Sequence, residues 1–405
     1  MSHDRGKRKN GEGRNSSNHS PGRLDLREDR RGKPGTHQGA NRFLPNRKTP
    51  ETIDWAQARS PFYRKHLAGF SAKDIVSPED LAKLPFTTAD EIGRQPLSFL
   101  CVSQSEIDRV VTLQTSGTTG NPKRVFFTSG DHEGTIDFFH HGMATLAGPG
   151  DKVLILMPGT LPGSVGDLLA KGLQRLGATG IPHGFVRNAS ETLAIMEKER
   201  VDCLVGLPTQ VLRLARSSGG MAAPKAVLLS ADNVPEAVSN ALRYTWGCEV
   251  YTHYGMTEMG FGGGVECDAR KGYHLREADL YVEIVEPRTG GPLPEGEPGE
   301  VVFTTITRKA MPLIRYRTGD LSRFLPVPCP CGSALKLLEP VRGRVTRSAA
   351  WQPAGPSAWQ TWTRPSFPLK RCWISVRPWF ESVAEIDCVL KSRSRTPKIG
   401  IFRPK

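Results

Sequence analysis

The sequence has no apolar run near the length a membrane-spanning helix requires, and no signal-peptide pattern at its start. Cysteine is sparse. The eight residues Cys101, Cys203, Cys248, Cys267, Cys329, Cys331, Cys372 and Cys388 are mostly scattered, which argues against a disulfide scaffold and for a reducing, cytoplasmic compartment. No segment repeats. Apolar residues are scarce before position 49, where Gly, Asn, Ser, Arg and Lys dominate, so no core can form there. Acids are scarce in the last 61 residues.

What is present begins with charge. The formal net charge is +14 over 405 residues. Residues 1–50 carry a net +8 and residues 345–405 another +8, leaving −2 for the body between them. A basic tail can hold nucleic acid through counterion release, but its default reading is solvated chain. A nucleic-acid partner is therefore not expected, and neither is a membrane. The length suits two or three domains.

From Lys152 to His253 short apolar runs alternate with helical patterns: Lys152–Met157, Gly180–His183, Cys203–Gly206, Ala226–Ser230 and Glu249–His253 as strands, with helices between them. That alternation predicts an α/β fold with a mostly parallel sheet covered on both faces. Upstream, Val110–Gln114 and Val125–Thr128 read as strands of a hairpin-like unit. Ser77-Pro78-Glu79-Asp80 reads as a helix start, with a cap, a first-turn proline and acids at the positive end of the dipole. Leu280–Val285 and Gly299–Thr305 predict a smaller antiparallel β-unit.

Between the first two strands lies Thr115-Ser116-Gly117-Thr118-Thr119-Gly120-Asn121-Pro122-Lys123. Glycines let backbone N–H groups approach a ligand, hydroxyls add donors, and the lysine adds a point charge. The pattern fits a loop around a polyphosphate, though it is not the Walker loop, whose lysine directly follows the second glycine. A polar surface turn is the bland alternative. Ligands of parallel sheets bind beyond the carboxyl ends of strands. Two such ends carry Ser230-Ala231-Asp232-Asn233 and Tyr254-Gly255-Met256-Thr257-Glu258.

The loop, the Tyr254–Glu258 stretch and Tyr316-Arg317-Thr318-Gly319-Asp320, in that order, resemble the adenylate-forming, AMP-binding superfamily. Ser60-Pro61-Phe62-Tyr63-Arg64, Leu84-Pro85-Phe86-Thr87, Met311-Pro312-Leu313-Ile314-Arg315 and Cys329-Pro330-Cys331-Gly332 look most like its phenylacetate–CoA ligase branch. The likeness covers roughly residues 50–344. It implies an acid–thiol ligase that activates a small carboxylic acid with ATP to an acyl-adenylate and then transfers the acyl group to coenzyme A. By resemblance, Ser116, Gly117, Thr118, Thr119, Gly120 and Lys123 cradle the β- and γ-phosphates. Thr257 contacts the α-phosphate and Glu258 holds Mg²⁺. Asp320 accepts from the ribose hydroxyls and Arg344 reaches ribose or phosphate. Ser230, Ala231, Asp232 and Tyr254 frame the adenine, with Gly255 and Met256 beside them. Taken singly, Glu258 would be a surface carboxylate, Asp320 a turn residue and Tyr254 a core residue. His141, in Phe138-Phe139-His140-His141, is a candidate to border the acid or simply a helix-packing residue.

Cys329 and Cys331, with Cys267 and His274 upstream, match the ligand set of a structural Zn²⁺ site, and the arrangement is similar to one in some members of that branch. His274 alone reads equally as a surface histidine.

The expected organisation is a disordered basic tail over 1–48, an adenylate-forming domain over 49–344, and an atypical segment over 345–405 where relatives carry a rotating lid domain. Trp351, Trp359, Trp362, Trp373 and Trp379 fall in that last segment, and Lys398 does not match the family's lid-lysine setting. We expect a reading-frame shift or a gene-model error near codon 344; the rival is a real basic extension, which predicts severely reduced adenylation. A homodimer is also carried as an expectation. The competing functions are a non-catalytic nucleotide-binding module and an adenylating enzyme with a different acceptor.

Overall fold

The structure, a computed structural model, describes residues 48–113, 122–219 and 223–345. The chain enters through α1 (Lys48–Arg59), α2 (Pro61–His66), α3 (Pro78–Ala82) and α4 (Ala89–Arg94), then forms β1 (Arg109–Leu113) and β2 (Lys123–Phe127). Ser77 caps α3 with Pro78 in the first turn, as the sequence predicts, and Thr88 caps α4. The entering segment divides into two helices because Ser60-Pro61 ends one and starts the next.

There follow α5 (Ser129–Met143), β3 (Lys152–Ile155), α6 (Val165–Arg175), β4 (Thr179–Pro182), α7 (Ala189–Glu199), β5 (Cys203–Gly206), α8 (Pro208–Ser217), β6 (Ala226–Leu229), α9 (Glu236–Trp246) and β7 (Glu249–Tyr254). The chain closes with β8 (Gly264–Glu266), β9 (Tyr273–Leu275), β10 (Leu280–Val285), β11 (Gly299–Thr305), β12 (Tyr316–Ser322), β13 (Leu337–Leu338) and β14 (Gly343–Arg344).

Eight strands form one sheet in the order β13-β9-β8-β7-β6-β5-β3-β4. The stretch from β4 to β7 is parallel, as expected, and β8, β9 and β13 extend it antiparallel. Apolar runs such as Val153–Ile155 and Val227–Leu229 are buried because helices cover both faces. One core packs α5 and α6 on one face; a second packs α7, α8 and α9 on the other. Gly172 lets α6 approach α5, since a Cβ there would lie 2.9 Å from that of Phe139.

The chain leaves β3 through α6 to β4, then returns through α7 to β5 on the other side of β3. That reversal opens a crevice at the carboxyl ends of β3 and β5. A separate antiparallel sheet, β10-β11-β12-β14, carries Asp320 and Arg344 as register partners. No helix among the described residues is long and apolar enough to cross a membrane.

Candidate adenylate-forming site

The amino-terminal segment shapes the site by clamping the strand that follows Met311. Tyr63 and Thr87 are both buried, their hydroxyls 3.1 Å apart. Tyr63 Oη accepts from the Ile314 N–H at 2.9 Å, and Thr87 Oγ1 donates to the Ile314 carbonyl at 2.7 Å. Backbone bonds from Thr87 to Arg315 and from Arg317 to Thr87 continue the clamp. Arg315 is 1% exposed; it forks onto Glu283 at 3.0 and 3.2 Å and donates to the Leu84 carbonyl at 2.7 Å. The Ser60–Arg64 and Leu84–Thr87 motifs thus seat the segment that presents Tyr316.

Three elements converge there. Lys123 opens β2, Glu258 sits in the short turn after β7, and Tyr316 opens β12. Lys123 Nζ pairs with Glu258 Oε1 and lies 3.3 Å from the Tyr316 hydroxyl, which itself donates to Glu258 Oε1 at 3.2 Å. Glu258 is 3% exposed, so its charge depends on these partners. Arg308, also buried, donates to the Glu258 carbonyl at 2.9 Å and lies over the Phe127 ring; burial pushes its pKa down to about 10. Gly255 cannot be replaced without movement, because a Cβ would meet Gly262 Cα at 2.8 Å.

A second polar group lies on β12. Tyr254 Oη donates to Asp320 Oδ2 at 3.1 Å, and Arg344 Nε lies 3.3 Å from Asp320 Oδ1. Burial raises the Asp320 carboxyl above its ordinary pKa, with the Arg344 guanidinium opposing it. The Asp320 N–H is held by Thr318 Oγ1 at 3.0 Å.

Of the residues marked in the sequence, Ser116, Gly117, Thr118, Thr119 and Gly120 lie outside the described residues; Lys123, where the loop ends, is inside. The structure brings Lys123 to Glu258, and Tyr254 to Asp320 and Arg344. Thr257 shares the Glu258 turn and Met256 packs beside it. The four residues expected around the adenine divide. Ala231 and Asp232 are exposed in the turn after β6. The Tyr254 ring stacks on Tyr273 within the core, and the Ser230 hydroxyl turns to His253 Nδ1 at 2.9 Å. His141 faces Asp137 one turn back, at 3.6 Å.

Sequence reasoning gave no role to Tyr316, Arg308 or His253. Tyr316 stood inside a motif and was within reach of attention. Nothing local separates Arg308 from the adjacent Lys309.

Cys267, His274, Cys329 and Cys331 also converge, their ligand atoms all within 4.8 Å of one another. Cys267 Sγ lies 3.5 Å from Cys329 Sγ, and Cys331 Sγ lies 3.3 Å from His274 Nε2. Tetrahedral zinc with Zn–S near 2.3 Å has S···S edges of roughly 3.8 Å. Donor set and spacing therefore fit zinc. The cluster ties β9 and the loop after β8 to the segment before β13.

The model of the AMP-binding enzyme family matches residues 48–307. A phenylacetate-coenzyme A ligase of Thermus thermophilus is 31% identical over 322 residues, 75% of this chain and 70% of the relative. One of Escherichia coli is 31% identical over 297 residues, 70% and 67% of the two chains. Among solved structures, an open conformation of 2-hydroxyisobutyryl-CoA ligase in complex with 2-HIB-AMP and CoA matches with a TM-score of 0.67 at 23% identity. That match covers 73% of this chain and 68% of the other, and it is a likeness of fold.

Proposed function

Because the chain belongs to the AMP-binding enzyme family, we propose that it uses ATP to convert a carboxylic acid to an acyl-adenylate and passes the acyl group to coenzyme A. The convergence of Lys123, Glu258 and Tyr316 beside the Tyr254–Asp320–Arg344 group carries this reading. A carboxylate is a weak nucleophile and ATP is highly anionic, so the site must neutralise phosphate charge and align the attack.

Lys123 supplies the positive charge at the mouth of the 115–123 loop, and Tyr316 aims the Glu258 carboxylate. Glu258 would hold Mg²⁺, which supplies charge neutralisation on the phosphates when bound. Thr257, in the same turn, meets the α-phosphate. Asp320 takes the ribose hydroxyls, with Arg344 and Tyr254 fixing its two oxygens. Arg308 fixes the Glu258 backbone from below. The Cys267–His274–Cys329–Cys331 cluster would hold a structural zinc that locks β9 and the loop after β8 to the segment before β13.

ATP–pyrophosphate exchange with a panel of carboxylic acids tests the proposal, with phenylacetate as its first member. Exchange stimulated by one acid is the expected result. ATP binding without exchange across the panel would favour the nucleotide-binding module instead.

A further inference from the structure

β12 and β14 meet over two residue pairs, Asp320 with Arg344 and Leu321 with Gly343. A pairing that short specifies its own register weakly. The register matters, because from it Arg344 reaches the carboxylate assigned to the ribose, with Nε 3.3 Å from Asp320 Oδ1, and donates to the Thr318 carbonyl. A slip of one residue would turn Arg344 to the other face of the sheet. A slip of two would bring Arg342 opposite Asp320 in its place.

Glu339 stands where the register can be fixed. The chain leaves β12 at Ser322, runs out through Cys329 and Cys331, and returns through β13 to β14. The outgoing and returning arms lie side by side, with Phe324 bridged to Leu338 and the Leu325 N–H donating to the Leu337 carbonyl at 2.8 Å. Glu339 closes this hairpin at its base. Its N–H donates to the Arg323 carbonyl at 2.9 Å, and its carbonyl accepts from the Ser322 hydroxyl at 2.6 Å. Its carboxylate receives the Arg323 guanidinium as a fork, at 3.0 and 3.2 Å, and Arg342 at 2.7 Å.

Glu339 is 7% exposed, and a carboxylate so placed is stable only with partners of this kind. A forked ion pair has a fixed geometry, so it selects one arrangement of the chain over its neighbours. Arg342 and Arg344 each have their own acid: Glu339 takes the first and Asp320 the second. The Arg342 N–H, bonded to the Leu321 carbonyl at 3.2 Å, continues the same register.

We propose that Glu339 is a positioning residue for the nucleotide site. By holding Arg323 and Arg342 at the base of the hairpin, it keeps β14 in the one register that sets Arg344 on Asp320, and so gives the ribose hydroxyls a fixed acceptor. It acts through Arg344 rather than on the nucleotide. This rests on the adenylation reading above, in which Asp320 takes the ribose.

The test is calorimetric titration of the full chain with ATP and with 2′,3′-dideoxy-ATP, which lacks both ribose hydroxyls. The wild type should bind ATP about tenfold tighter or more, since the lost bonds go to a charged acceptor. Glu339→Ala should bring that ratio close to one by weakening ATP, with the dideoxy probe bound within about twofold of its wild-type affinity. A merely structural role would lower both affinities together and leave the ratio where it was. Glu339→Gln keeps the shape and one acceptor oxygen and should give an intermediate ratio; it decides if circular dichroism shows the alanine variant unfolded. An unchanged ratio in the folded variants overturns the proposal and leaves adenylation standing. Equal affinity of the wild type for both probes overturns it together with the ribose role of Asp320. No binding of either probe to the wild type, with no pyrophosphate exchange, overturns the adenylation reading as well.

Discussion

Lys123 and Glu258 stand 135 positions apart in the chain and form an ion pair with only 12% and 4% of their side chains exposed. The pair closes the β1–β2 hairpin onto the carboxyl end of β7. It also poses a constraint: each partner holds the charge the other would use on phosphate or metal.

The pair should therefore behave as a unit. Lys123→Ala is expected to slow adenylate formation about 10²–10³-fold, the usual loss for one well-placed charge contact. Glu258→Gln should be comparably slow, and the double variant should lose far less than the sum of both. Pyrophosphate exchange across the double-mutant cycle measures this; strict additivity would contradict a shared role.

Arg315 with Glu283 predicts a stability effect remote from chemistry. Both are buried, so Arg315→Leu leaves a carboxylate without its cation and should cost about 3–5 kcal/mol. Urea unfolding reads it. Because Arg315 also seats Tyr316 through the backbone, ATP affinity should fall in parallel.

His253 predicts a pH dependence. Its folded pKa, about 4, lies below the ordinary 6.5, so the unfolded chain binds a proton that the folded chain refuses. This contribution is fully present above pH 6.5 and is lost as pH falls toward 4. Between pH 7.5 and 5 it should amount to about 2 kcal/mol. His253→Phe should flatten that part of the profile, and an unchanged acid slope in urea titrations would count against it.

The thiolate–imidazole cluster predicts bound metal. Purified protein should contain close to one zinc per chain by elemental analysis. Cys331→Ser should lower the metal content and the melting temperature together, because bound metal stabilises only the folded state. Metal-free protein with unchanged melting behaviour would remove the zinc from the fold.

Much of the architecture was legible because it is local. The strands over 203–206, 280–285 and 299–305 are short apolar runs between helical patterns or turns, and the structure places them at those residues. Caps at Ser77 and Thr88 are fixed by the first turn alone. The strands that escaped notice have physical reasons for doing so. Gly264–Glu266, Tyr273–Leu275 and Leu337–Leu338 are too short for a period to register. Tyr316–Ser322 is mostly polar, and key polar groups on it find distant partners, Thr318 the Val301 carbonyl and Arg317 the Glu300 carboxylate.

The sequence by itself determined the order of elements, the sheet class and the motif set, since these follow from periodicity, turn residues and ordered short patterns. The tertiary structure decided which of those residues meet. It brought Lys123, Glu258 and Tyr316 together from three elements, buried Arg308 and Arg315 where their neighbours in sequence give no sign of it, and paired the Ser230 hydroxyl with His253. The reason is that burial and pairing at a strand end depend on strand order and on which face a side chain occupies. Both are set by the packing of α5 and α6 on the sheet, which no local window contains.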